Sequence, residues 1–164
     1  MRNILLLMLV TFLFNCNETI ETKKEYKNQI GDTSFNPNLD NPKFKFCDST
    51  KVLHNRSRIS YTGGERALES ELLKRFKFKP EYKSFNGYFI IRFAVNCKNE
   101  TGRFRMQILD SNFSLTECPK ELEEHILAIT KELKHWNHAV LEGKDYDCYR
   151  FISIKLINGK VQKS

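Results

Sequence analysis

The chain has 164 residues and a formal net charge of +7, with 29% of residues charged. That length holds one domain and a tether, not a string of domains. The modest basic excess suits anionic head groups, cell-wall carboxylates or acidic proteins, and the export-type start described next argues against nucleic acid as the partner.

Arg2 and Asn3 give a short positive start, and Ile4 to Phe14 is almost purely apolar. As a helix that run spans about 16 Å, too short for a bilayer core of about 30 Å. Residues 1–15 are therefore expected to be an export signal rather than a permanent span. Residues 16–43 are rich in Asn, Lys, Glu, Thr and Asp, carry Pro37 and Pro42, and show no apolar period. They are expected to be a flexible tether, and residues 44–164 the folded domain. Asn-x-Ser/Thr sequons start at Asn17, Asn55, Asn99 and Asn112 and are read as chance in an Asn-rich chain.

Within the domain, Thr62-Gly63-Gly64-Glu65 has the spacing of a capping box, with Thr62 as N-cap. Leu68, Leu72 and Phe76 follow at helical spacing, and Pro80 closes the segment. Gly87 opens a strand in which Phe89, Ile91, Phe93 and Val95 share a face. Asn96 to Gly102 has loop chemistry, and a second strand puts Phe104, Met106 and Ile108 on one face against Arg103, Arg105 and Gln107. Pro119 stands at the expected start of a second helix, with Glu121, Glu123 and Glu124 in its first turn and Lys131, Lys134 and His135 in its last. Leu122, Ile126, Ile129, Leu133 and Trp136 form one apolar stripe able to cover the hairpin. A last strand, Tyr149 to Ile157, alternates Ile152, Ile154 and Leu156 with Ser153 and Lys155, and Asn158-Gly159 ends it. The expected class is α+β: helix, strand, strand, helix, strand, a three-stranded antiparallel sheet with a helix packed on one face.

Leu13-Phe14-Asn15-Cys16 resembles a bacterial lipobox, in which the cysteine thiol receives a diacylglycerol and becomes the mature N-terminus. The resemblance implies lipidation of Cys16, a membrane held through that anchor and a cell-envelope location. Asn17 is not the Asp that retains lipoproteins at the inner membrane in enteric bacteria, which favours the outer membrane, on either face. The alternative is an ordinary signal peptide with Cys16 free. With Cys16 lipidated, Cys47, Cys97, Cys118 and Cys148 remain, enough for two disulfides in three pairings or for four buried thiols. No C-x-x-C pair is present, which argues against a zinc ribbon or a thioredoxin-like site.

The landmarks Phe78-Lys79-Pro80, Gly87, Phe93 with Val95, Gly102, Trp136 and Ile157-Asn158-Gly159 are similar, in order, to those of the TonB C-terminal domain. Gly63-Gly64-Glu65 resembles the lead-in of TonB-like proteins from the Bacteroidetes, and the likeness covers roughly residues 61 to 160. Asn137 and His138 depart from the family's Trp-x-Pro, and the chain has neither a coupling transmembrane helix nor a long Pro-rich reach. The resemblance therefore implies the fold and a link to envelope transport, not the energising role. In that family the last strand can accept an extra strand. With a sheet order of second, first, third, the strand at Tyr149, Phe151, Ser153, Lys155 and Ile157 becomes a peptide-binding edge, or the edge of a homodimer. The same topology implies disulfides Cys97–Cys148 and Cys47–Cys118.

Arg92, Arg103 and Arg105 are expected on the sheet face away from the helix, as an anion-binding surface or as a solvated basic face, with Lys74, Arg75, Lys77, Lys79 and Lys83 nearby in sequence. His135 and His138 flank Trp136 without a third ligand, so no metal and no cofactor is expected. The chain is read as a non-catalytic module that binds an envelope protein or peptide. The alternatives are a small secreted basic hydrolase or nuclease using His54, His125 and His135, or a structural protein bound to cell wall.

Overall fold

A computed structural model describes residues 34–54 and 61–163. The elements in chain order are β1 (Leu53–His54), α1 (Gly64–Arg75), a 3-10 turn (Pro80–Tyr82), β2 (Gly87–Val95), β3 (Thr101–Asp110), α2 (Lys120–Glu132), β4 (Ala139–Leu141), β5 (Lys144–Tyr146), β6 (Cys148–Ile157) and β7 (Lys160–Val161). Helix, strand, strand, helix, strand is thus the order of the five long elements.

β2 is the central strand. It pairs antiparallel with β3, matching Phe89 to Ile108 and Ile91 to Met106, and antiparallel with β6, matching Phe89 to Ile154 and Ile91 to Ile152. Phe89, Ile91, Phe93 and Val95 are fully buried, as the period of two requires of a face against a core. The stripe of α2 meets that face: Leu122, Ile126, Ile129, Leu133 and Trp136 belong to one core with the β2 and β6 residues.

The sheet is not the three-stranded antiparallel one expected. It is a curled, mixed sheet of order β1-β6-β2-β3, with β7 also on β6, and a separate β4–β5 hairpin. β1 runs parallel to the start of β6, pairing Leu53 with Cys148 and His54 with Tyr149. Asn158-Gly159 does not simply end the last strand. Both residues have positive φ, 50° and 68°, the conformation of a type I′ turn, and the chain folds back so that Ile157 pairs with Lys160.

α1 is capped differently from the capping-box reading. Gly63, in the left-handed region at φ 86°, is the N-cap and no side chain caps the helix. The Thr62 N–H donates instead to the His135 carbonyl, tying the entry of α1 to the exit of α2.

The outer face of the sheet is covered as well, by residues 34–52. Phe44 and Tyr149 are buried with Ala94 in a second, small core, joined by Phe46 and Val52. Gly102 is needed here, because a Cβ at that position would enter the Phe44 ring. Residues 34–43, assigned above to the tether, therefore include packed chain, with Asp40 buried against the sheet.

Candidate peptide-binding edge

β6 has one side on β2 along its length. Among the described residues, its other side is covered at the two ends. β1 takes Cys148 and Tyr149, and β7 takes Leu156 and Ile157. The Gln162 N–H donates to the Lys155 carbonyl at 2.9 Å, which shows that the backbone of Lys155 points away from β2. In a regular strand these directions alternate, so Phe151 and Ser153 point the same way. Among the described residues no strand pairs with them there. The stretch of β6 between the two covers runs from Phe151 to Ser153.

Of the five expected edge residues, Tyr149, Lys155 and Ile157 are thus covered in part by β1 and β7, while Phe151 and Ser153 carry the opening. Phe151 is 58% exposed, a large apolar residue on the side of β6 that no described strand pairs with. On the other side of the edge lies a cavity of about 240 Å³ between β6 and α1. Leu68 and Leu72 of α1, Ile152 and Ile154 of β6, and Val161 of β7 form its apolar lining, and Glu65 and Glu69 stand on its rim. That volume is below the roughly 300–1,000 Å³ of pockets for drug-sized molecules. It takes side chains, one or two at a time.

The three arginines do share the face away from α2, since Arg92 and Arg105 are register partners. They are not an exposed anion-binding surface. Asp40 accepts from Arg105 Nη1 at 2.8 Å and Nη2 at 3.0 Å, and from Arg103 Nη1 at 3.1 Å. The Arg105 side chain is only 2% exposed. Burial acts to raise the Asp40 pKa, but hydrogen bonds from Arg105, the Asn36 backbone and Arg103 outweigh it and hold the carboxyl at about 2. Arg92 lies 4.1 Å over the Tyr149 ring, and its Nη2 is 3.0 Å from His54 Nδ1.

The expected disulfides are replaced by one, Cys47–Cys97, with Cα atoms 6.1 Å apart. The register explains it. Cys148 faces Val95, not Cys97, and its side chain lies in the main core. Cys97 instead meets the segment crossing the outer face. Cys118 and Cys148 are free thiols, and burial pushes both up, Cys118 to about 11. Asp147 lies beside the two bridged sulfurs. Its carboxylate accepts from the N–H groups of Asp48 and Cys97, both at 2.8 Å, so it braces the bridge.

The histidines have separate surroundings. His125 stacks on Phe76, His135 meets the Tyr61 ring edge-on, and His138 contacts Asn99 and Asp145. No two are brought together as an acid–base pair. Lys79 pairs with Glu121 and Arg75 with Glu71 and Glu132, so part of the basic run ties α1 and the turn after it to α2.

No family model, curated protein or solved structure matches this chain. The interpretation of the site therefore rests on its own geometry. No helix among the described residues is long and apolar enough to cross a membrane. Cys16 and the lipobox lie outside the described residues. Sequence reasoning missed the α1 side of the edge: Leu68 and Leu72 read as positions of a helical repeat, and nothing in their spacing says that they border a groove beside β6.

Proposed function

We propose that this chain is a lipid-anchored protein of the bacterial cell envelope that acts as a non-catalytic binding module, taking an extended peptide as an added strand on β6. The observation that carries this reading is that, among the described residues, no strand pairs with the outward side of Phe151 and Ser153, which lies between β1 and β7 beside an apolar groove. Main-chain hydrogen bonds would supply affinity, and pockets for alternate side chains would supply selection. Both ends of the opening are already defined by neighbouring strands, so the register of an incoming strand is restricted. Among the described residues, Phe151 and Ser153 offer their N–H and C=O groups, and each bond would contribute about 0.5–1.5 kcal/mol net. The affinity is accordingly modest, in keeping with a transient partner.

The five long elements and the β3-β2-β6 order support kinship with the TonB C-terminal domain, to which β1, β7 and the β4–β5 hairpin would be additions. The Cys47–Cys97 bridge supports an oxidising compartment. Lipidation of Cys16 would hold the module at a membrane, through a tether, beside envelope partners.

The test uses the intact lipidated protein and its Ser153→Pro variant as crosslinking baits in envelope extracts. Proline removes the N–H that faces the opening and leaves the β2 ladder in place. Envelope proteins recovered by the first bait and lost with a folded second bait support strand addition. Equal recovery by both places binding elsewhere on the molecule.

A further inference from the structure

His138 enters the β4–β5 hairpin with both ring nitrogens against oxygen atoms. Nδ1 lies 2.7 Å from Asn99 Oδ1, and Nε2 lies 2.9 Å from Asp145 Oδ1. A third contact fixes the Asn99 carboxamide. The His138 backbone N–H donates to the same Asn99 Oδ1 at 2.8 Å, so that atom is the carbonyl oxygen and can only accept. Asn99 is itself held by its backbone, in the left-handed region at φ 64°, with its N–H donating to the Asn96 carbonyl at 2.8 Å. The Asp145 carboxylate can also only accept. Each ring nitrogen must therefore donate, and only the imidazolium carries two N–H groups. The neutral ring has one, and serves Asn99 or Asp145 but not both.

The two partners belong to different elements. Asn99 lies in the turn between β2 and β3, and Asp145 lies in β5, opposite Val140 of β4. The ring thus joins the hairpin to that turn. Asp145 is the one charged side chain in contact with it among the described residues. Asp147, where the chain leaves the hairpin, spends its carboxylate on the N–H groups of Asp48 and Cys97, and Glu100 accepts from Asn96 Nδ2 at 2.7 Å. Glu142 and Lys144 of the hairpin and Lys98 of the turn are exposed and make no contact with the ring. The geometry points to a proton-operated latch: protonated His138 docks the β4–β5 hairpin on the β2–β3 turn, and loss of a ring proton frees Asp145 and loosens the hairpin. The His138 side chain is 18% exposed and that of Asp145 62%, so the neutral ring keeps its shielded bond to Asn99 and Asp145 turns to water. The latch stands apart from the strand-addition reading.

The test is NMR on the isotope-labelled full chain between about pH 5 and pH 8, the span over which histidine changes charge. Two signals are read together: the protonation of the two His138 ring nitrogens, and hydrogen exchange of the β4–β5 amides, corrected for the intrinsic effect of pH on exchange. The amides of β2 serve as the reference, which separates a local change from a change in global stability. As the ring loses a proton, protection of the hairpin should fall about 3-fold relative to β2, the scale of one partly exposed charge contact. Asp145→Asn, at an exposed position, is the deciding variant. Its carboxamide can donate to a bare Nε2 as well as accept from a protonated one, so both ring forms keep both contacts and the pH dependence of the hairpin should vanish.

A loss of hairpin protection that follows the ring and is absent from Asp145→Asn supports the latch. Hairpin protection that stays constant while the ring titrates overturns it. So does an equal loss in Asp145→Asn, or a ring whose protonation does not change across the range.

Discussion

Asp40 lies 63 and 65 positions from Arg103 and Arg105, yet its two oxygens hold both guanidinium groups. A buried arginine without its carboxylate is an uncompensated charge, so Asp40→Asn should cost about 3–5 kcal/mol in urea unfolding at neutral pH. The pH dependence follows from the lowered pKa. The carboxyl titrates at about 2 in the folded chain against an ordinary value of 3.8. A depressed carboxyl pKa gives stability that is complete above the unfolded value and lost as pH falls through the folded one. The contribution, on the order of 2 kcal/mol, should therefore be present above about pH 4.5 and fade between about pH 4 and pH 2. Unfolding curves across that range check it, and the Asp40→Asn chain should lack that part of the acid dependence. The arginine face itself was legible, because a period of two puts Arg103 and Arg105 together. Their partner was not, since a lone Asp in a stretch rich in Asn and Pro carries no local sign of a contact so distant in sequence.

The long elements were legible because each repeats its signal. β2 alternates over nine residues and α2 carries a stripe across its whole length. β1 and β7 are two residues each and have no period to read, yet they decide which part of β6 is paired on its outward side among the described residues. Their position comes from tertiary pairing and from the turn at Asn158-Gly159. The edge makes its own prediction along β6. The amides of Ile152 and Ile154 point to β2 and sit in its ladder, whereas those of Phe151 and Ser153 face the opening. Hydrogen exchange should thus alternate along the strand, with Phe151 and Ser153 exchanging at least about 100-fold faster than Ile152 and Ile154. Bound peptide should slow the fast pair selectively. Uniform protection across the four amides, with no peptide present, would remove the opening on which the strand-addition proposal depends.

At the scale of the molecule, residues 34–52 act as a strap that closes the outer face of the sheet. Its attachments include Asp40 on the arginines, Phe44 over Gly102, and the Cys47–Cys97 bridge braced by Asp147. Beyond the bridge the strap becomes β1, where the Leu53 N–H donates to the Asp147 carbonyl at 2.8 Å. Asp147 thus links the disulfide to the strand that limits the open edge. The two bridged cysteines are 50 positions apart, and closing a loop of that size lowers the entropy of the unfolded chain by the equivalent of about 4 kcal/mol. Replacing both by alanine should cost about 2–4 kcal/mol in urea unfolding, whereas Cys118→Ala, at a half-buried free thiol, should cost under about 1 kcal/mol. The loss should also have a direction in space. With the strap released at Cys47, β1 is held to β6, among the described residues, by two pairs, so the amide of Tyr149 should lose protection before those of β2 do. The open stretch would then lengthen toward the start of β6, and an added strand could pair with Tyr149 as well as with Phe151 and Ser153. Exchange at Tyr149, measured in the oxidised chain and in the double alanine variant, separates a strap that limits the edge from a bridge that only stabilises the fold: faster exchange confined to Tyr149 and its neighbours marks the first, and a uniform rise across the sheet marks the second.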